Sequence, residues 1–349
     1  MAGVLMLAAG CASGGPPAGR TDTGGPSTPA ASTVASPAKP STSTGGNVPP
    51  ATGLTSQITG WRLPGPLSRA QAVASGGRLL LLAGLVPGDR SSGQILAVDP
   101  AHGTVTPVGT LQVPVHDTAA AVLGPDVLLF AGGNSTEVSV VQTFPATDAS
   151  PGPSGRSRTI GNLPQPRSDL EAADADGKIF LLGGYDGTRT RAEVLATTDG
   201  RSFTTAGTLP HPVRYGAAIT IGNPGAQQVL LFGGQNGGVA TDAIQRLDPA
   251  TGTVSVVGWL PAPLSEAMAF ALGGSVWIAG GTSGGKASDL ILRYDPATGQ
   301  AVPAGQLPYP VADAAVTVLD GTAYLLGGEN IKDLDTVVTL VPRQPRQPR

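Results

Sequence analysis

The chain has 349 residues, of which 40% are hydrophobic and only 13% charged, with a formal net charge of −3. So weak and slightly acidic a balance offers nothing to a polyanion, and no nucleic-acid partner is expected. A single cysteine excludes a disulfide framework and a thiolate metal cage, and three histidines give no basis for a zinc or copper site, so neither metal nor cofactor is expected. Glycine (51) and proline (33) together make about a quarter of the chain, which suits short strands and tight turns rather than helices.

Residues 1–11, MAGVLMLAAGC, hold a short apolar run that ends in small residues and the lone Cys11. The run is far below the ~20 residues needed to span a bilayer and reads as a signal-peptide core. The stretch LAAGC resembles a bacterial lipobox, which implies lipidation at Cys11 and an extracytoplasmic protein held at the cell membrane. Residues 12–53 follow, 36 of the 42 being Ala, Gly, Pro, Ser or Thr. They lack the apolar surface to offset chain entropy and read as a disordered linker, stiffened by its prolines into a spacer.

From residue 54 the chain repeats itself. An apolar run ending in small residues recurs six times: LLLLAG (79–84), VLLFAGG (127–133), KIFLLGG (178–184), VLLFGG (229–234), VWIAGG (276–281) and AYLLGG (323–328). A second marker, Leu-Pro-x-Pro, keeps the same beat from Leu63, Leu111, Leu163, Leu209, Leu260 and Leu307, with Gln112 replacing one proline. Two unrelated markers sharing one period of about 50 residues define a repeat protein. Each repeat reads as four strands. A short small-residue strand such as TAAAV (118–122) comes first, then the apolar run, apolar at consecutive positions because both its faces are covered. A third strand leads through Asp-Pro-Ala-x-Gly hairpin chemistry, as in DPATGTVSVV (248–257), to the fourth.

The period, the Gly-Gly after an apolar strand and the Tyr294-Asp295-Pro296 at a strand end resemble Kelch repeats over residues 54–341. The usual fourth-strand tryptophan is mostly replaced by Val, Phe or Ala. The resemblance implies an all-β, six-bladed β-propeller of Kelch type. The last repeat lacks its fourth strand, and an orphan strand, SQITGWRLP (56–64), precedes the first. The propeller is therefore expected to be closed by this N-terminal fourth strand in the last blade, removing two sheet edges. Residues 342–349 read as a disordered basic tail.

In that topology the connection into each innermost strand lies on the face where Kelch propellers usually bind ligands. Three residues past the last proline of each marker stand Arg69, Asp117, Asp169, Tyr215, Glu266 and Asp313, polar in all six repeats of a chain poor in charge. With Arg214 and His211 nearby, they make a candidate ligand-binding ring at the channel mouth, able to take a cation, an amine or sugar hydroxyls. The same residues also suit mutual pairing, Arg69 standing between Asp117 and Asp313 in ring order. No catalytic residue is assigned. A galactose-oxidase-like copper site would need a Tyr–Cys cross-link, and the lone cysteine lies in the leader. A sugar mutarotase or epimerase, the alternative, would use Arg69 with Glu266 or Asp117 as acid–base partners. The reading is an anchored monomer that binds an envelope or extracellular protein, or a glycan, through its loop face.

Overall fold

The computed structural model describes residues 50–146 and 155–343. The leader with Cys11, the linker up to residue 49, residues 147–154 and the tail after Arg343 lie outside the described residues. Among the described residues there is no helix, and the strands form a β-propeller-like arrangement of antiparallel meanders.

The first sheet runs through Gln71–Ser75, Arg78–Leu82, Gln94–Asp99 and Thr104–Thr110, with Gly155–Arg156 added in parallel at its edge. The second comprises Ala119–Leu123, Asp126–Gly133, Glu137–Pro145 and Arg158–Asn162, and the third Glu171–Ala175, Lys178–Leu182, Glu193–Thr197 and Thr204–Thr208. An eight-stranded sheet follows. It consists of two four-stranded runs, Ala217–Ile221 to Val254–Trp259 and Met268–Leu272 to Gln300–Gln306, joined only by the parallel pairing of Trp259 with Gln300. In the last sheet Ala315–Leu319, Thr322–Leu326 and Thr336–Pro342 are completed by Leu54–Arg62, the first strand of the described chain.

That last pairing bears out the expected latch. Leu54 lies opposite Pro342 and Ile58 opposite Val338 in antiparallel register. It also reaches further than the sequence suggests at both ends. Ala51 is buried and donates its N–H to the Gly273 carbonyl, and Ser275 Oγ donates to the Ala51 carbonyl. Arg343 N–H bonds the Gly53 carbonyl at 2.9 Å. Ala51 and Gly53 thus pack against the body, while Pro50 and Thr52 stay exposed.

The core lies between sheets. Leu80 and Leu82 face Val127, Leu129 and Phe144 of the second sheet, whereas Leu79 and Leu81 face Leu326 and Val337 of the last. Alternate side chains of one strand therefore enter different cores, which is why these strands are apolar at every position. The same division recurs at each sheet. Phe180 packs toward Val229 and Leu231, while Ile179 and Leu181 pack toward Leu128 and Phe130. The innermost strands meet one another in turn, Gln71–Ser75 touching both Ala119–Leu123 and Ala315–Leu319.

The two sequence markers turn out to be the two ends of one hydrogen bond. The backbone N–H groups of Gly84, Gly132, Gly184, Gly234, Gly281 and Gly328 donate to the carbonyls of Val115, Arg167, Val213, Leu264, Val311 and Leu67, at 2.7–2.9 Å. Each acceptor directly follows a Leu-Pro-x-Pro marker in the next repeat, and the sixth bond returns to the first repeat. This register also aligns the first repeat, whose run ends in Ala-Gly rather than Gly-Gly. Gly84 occupies the place of the second glycine elsewhere, and Ala83 takes the place of the first with φ +63°. Ala131 does the same in the second repeat, with φ +59°.

Candidate ligand-binding mouth

The six ring residues of the sequence form a second closed circuit. Arg69 N–H donates to the Asp313 carbonyl, Asp117 to Arg69, Asp169 to Asp117, Tyr215 to Asp169, Glu266 to Tyr215, and Asp313 to Glu266, at 2.9–3.2 Å. All six adopt left-handed backbone, with φ between +49° and +59°. This conformation costs a residue with a side chain about 1 kcal/mol or more, least for Asp. It turns the chain from the Leu-Pro-x-Pro connection into the innermost strand, and the circuit of bonds holds all six turns together.

The side chains converge as well. Arg69 lies 3.3 Å from Asp117, 3.6 Å from Asp313 and 3.2 Å from Glu329, and its Nη1 donates to the Tyr215 hydroxyl at 3.4 Å. Arg214 Nε sits 2.8 Å from Asp169, its Nη2 donates to the Tyr215 hydroxyl at 2.6 Å, and its guanidinium stacks between the Tyr185 and Tyr215 rings. His116 Nε2 is 3.7 Å from Asp117, while its Nδ1 shares a hydrogen bond with Ser91 Oγ. Residues from every repeat thus meet around a cavity of about 70 Å³, walled by the ring and by the starts of the innermost strands, Glu171 among them.

Burial sets the electrostatics. Asp117, Asp169 and Asp313 are each at least nine-tenths buried in their side chains. Desolvation raises all three carboxyls above the usual range. The charge of Asp117 pushes Asp169 and Asp313 further, and Arg69 and Arg214 oppose the rise. Burial lowers the Arg69 guanidinium, but the surrounding carboxylates outweigh it and hold the charge firmly in place. Burial, then the charge of Arg69, keep the His116 imidazole below its ordinary value. The Tyr215 phenol is held protonated by burial and by Asp117 and Asp169. Burial also pushes the Glu171 carboxyl up to about 8.

Seven of the eight sequence-derived positions come together here. His211 does not: its ring lies edge-on to Trp259, 6.0 Å between centroids, and its backbone N–H bonds Gln245. Glu329 and Glu171 are mouth residues that the repeat alignment passes over. Glu329 follows a Gly-Gly pair, at the position whose backbone bridges to the residue before the ring in each repeat, as Tyr185 does to Ser168. Glu171 lies two places beyond the ring position, where four of the other repeats have Ala or Met. A polar residue in that apolar column is the signal that marks it. Compared with models of known protein families and with curated protein sequences, the chain matches none.

Proposed function

We propose that the protein is a six-bladed propeller of Kelch type, anchored outside the cytoplasm through Cys11, that binds an envelope or extracellular protein, or a glycan, through the loop face around the mouth. Two backbone circuits of six bonds each, one per repeat, support the blade count. The eight-stranded sheet then counts as two blades meeting at Trp259 and Gln300. The Kelch assignment rests on the Gly-Gly and hairpin-turn pattern of the sequence.

One observation carries the binding reading: Arg69 is ion-paired with three carboxylates, Asp117 among them. An acid–base pair for sugar chemistry needs partners free to exchange protons with substrate, and here guanidinium and acid neutralise each other. Around this paired centre stand hairpin fingers, Leu85–Val86 with Arg90–Ser91, Gln235–Asn236 with Val239–Ala240, and Thr282–Ser283 with Lys286–Ala287. Val239 is exposed at a finger tip, as is Ile331 in the loop of the last repeat, and exposed apolar tips of this sort suit contact with a partner.

A glycan array together with capture from cell envelopes tests the reading. A specific ligand whose binding is lost on trimming the 235–240 and 282–287 fingers supports it; turnover of a free sugar anomer without any retained ligand overturns it. Mass spectrometry of the mature N-terminus tests the anchor, since an unmodified Cys11 ends that part of the proposal.

A further inference from the structure

Four repeats fill the cleft between the Leu-Pro-x-Pro connection and the third strand with a side chain of their own. In the second and fourth repeats a buried glutamine on the third strand clasps residue x of the marker. Gln142 accepts from the Val113 N–H at 2.9 Å and donates to its carbonyl at 2.8 Å, and Gln245 holds His211 in the same way at 3.0 and 2.9 Å. In the third repeat Arg167 donates to the Gly183 and Glu193 carbonyls, both at 3.0 Å. In the sixth, residue x itself is Tyr309, half-buried against the core, with its hydroxyl hydrogen-bonded to Thr336 Oγ1.

The fifth repeat has small or aliphatic residues at all these places. Ala262 is the counterpart of Val113, His211 and Tyr309, and Leu264 that of Arg167. Leu292 stands where Gln142 and Gln245 stand, each just past the shift in pairing between third and fourth strands. Leu290 answers to Thr336, since Gly280 N–H bonds the Leu290 carbonyl as Gly327 N–H bonds that of Thr336. What remains is a cavity of about 110 Å³ walled mainly by Pro261, Ala262, Leu264, Gly280, Leu290 and Leu292, with Ser283 of the 282–287 finger and Ser288. Pro261 and Ala262 are exposed, so the cavity opens to solvent on the loop face.

The sixth repeat shows what fits such walls. Its marker, LPYPV (307–311), differs from LPAPL (260–264) chiefly by the phenol ring of Tyr309, and it too has an aliphatic residue, Val338, in the glutamine position. The cavity is of the order of the roughly 150 Å³ apolar cavity that takes up benzene. Ser283 Oγ already donates to the Pro263 carbonyl and Ser288 Oγ accepts from the Leu290 N–H, which leaves little to hydrogen-bond a sugar. Residues 1–49, 147–154 and 344–349 contain no Phe, Tyr or Trp, so an aromatic occupant does not come from those segments of the chain.

We propose that this cavity is a socket for an aromatic side chain, tyrosine or phenylalanine, of a partner protein, which takes the place that Tyr309 fills in the sixth repeat. This rests on the reading of the loop face as the binding surface and narrows its ligand to a protein that presents an aromatic anchor. Aromatic residues seated in pockets are the usual centres of binding energy at protein interfaces.

Methyl-labelled NMR spectra of the full-length protein test this, with N-acetyl-tyrosinamide and N-acetyl-phenylalaninamide as probes and N-acetyl-leucinamide as control. At least one aromatic amide should shift the Leu264, Leu290 and Leu292 methyls and saturate at millimolar concentration, with the leucine amide weaker by about ten-fold or more. Ala262→Tyr gives the fifth marker the residue found at 309 and should abolish those shifts. Leu292→Gln, after Gln142 and Gln245, closes the socket by a second route, and melting curves check that both variants fold. No aromatic binding at millimolar concentration, equal binding of the leucine amide, or shifts that persist in either folded variant each overturns the proposal. A partner protein captured with undiminished affinity for Ala262→Tyr, or a glycan as the only ligand, also overturns it while leaving the binding-module reading intact. A dimer dispersed by Ala262→Tyr would seat the exposed Trp259 of a second copy in the socket and overturn an outside partner.

Discussion

Arg69 engages Asp313 twice, donating its backbone N–H to the Asp313 carbonyl at 2.9 Å and directing its side chain at the Asp313 carboxylate, Nε to Oδ2 3.6 Å. The two residues come from the first and last repeats, so this contact closes the ring of inner strands both covalently remote and electrostatically. Replacing Arg69 with Met leaves Asp117, Asp313 and Glu329 facing one another without a cation. Stripping the partner from a buried ion pair costs about 3–5 kcal/mol. Urea unfolding should register a loss of that order, and Arg69→Lys should recover little of it, since one ammonium does not span three carboxylates. A loss below about 1 kcal/mol would mean that the network does not hold the ring.

Glu171 makes stability depend on pH. Its folded-state carboxyl titrates at about 8 against an ordinary 4.5, so the folded chain holds this proton where the unfolded chain has released it. Stability therefore falls as pH rises from about 4.5 to about 8, and the loss is complete above that window. Glu171→Gln removes the cost. Melting curves should show the variant and wild type alike near pH 4 and the variant several degrees higher above pH 8. Parallel curves across that range would contradict the desolvation of a carboxyl that has no ion-pair partner among the described residues.

The latch predicts a contrast within a single strand. Leu54 is 1% exposed and packs among Leu340, Val338 and Trp277, while Ile58 is 40% exposed. Leu54→Ala should cost about 2–5 kcal/mol, as in any packed core. Ile58→Ala should stay within roughly 0.5 kcal/mol. Chemical denaturation separates them, and equal small effects would show that the first strand is not part of the core.

Gly233 and Gly237 share nearly one backbone conformation, φ +58° and +57°. A methyl at Gly233 would run into the Leu264 carbonyl, the acceptor for Gly234, whereas at Gly237 it would meet open space. Gly237→Ala thus carries only left-handed strain, about 1–2 kcal/mol. Gly233→Ala adds a clash that breaks a bond between repeats, and its melting temperature should fall clearly further. Equal losses would assign the Gly-Gly marker to backbone conformation alone.

Much of this was legible in the chain because the repeat forces equivalent residues into equivalent places. Aligning six Leu-Pro-x-Pro markers picked out Arg69, Asp117, Asp169, Tyr215, Glu266 and Asp313, and strand counting paired residues 56–64 with 336–341. What escaped depends on side-chain reach, which no period encodes. Glu329 meets Arg69 across 260 positions of sequence. His211, three residues before Arg214, turns instead to Trp259. Ala83 and Ala131 disguised the register of the first two repeats, because the left-handed turn that favours glycine is tolerated there by alanine.

The hydrogen bond from Arg343 to Gly53 brings the two limits of the described residues together. A short peptide joining them would alter no fold contact, so new termini opened at an exposed hairpin such as 237–238 should yield a permuted protein that still assembles. Anything tethered before residue 50 and anything fused after residue 343 would emerge side by side.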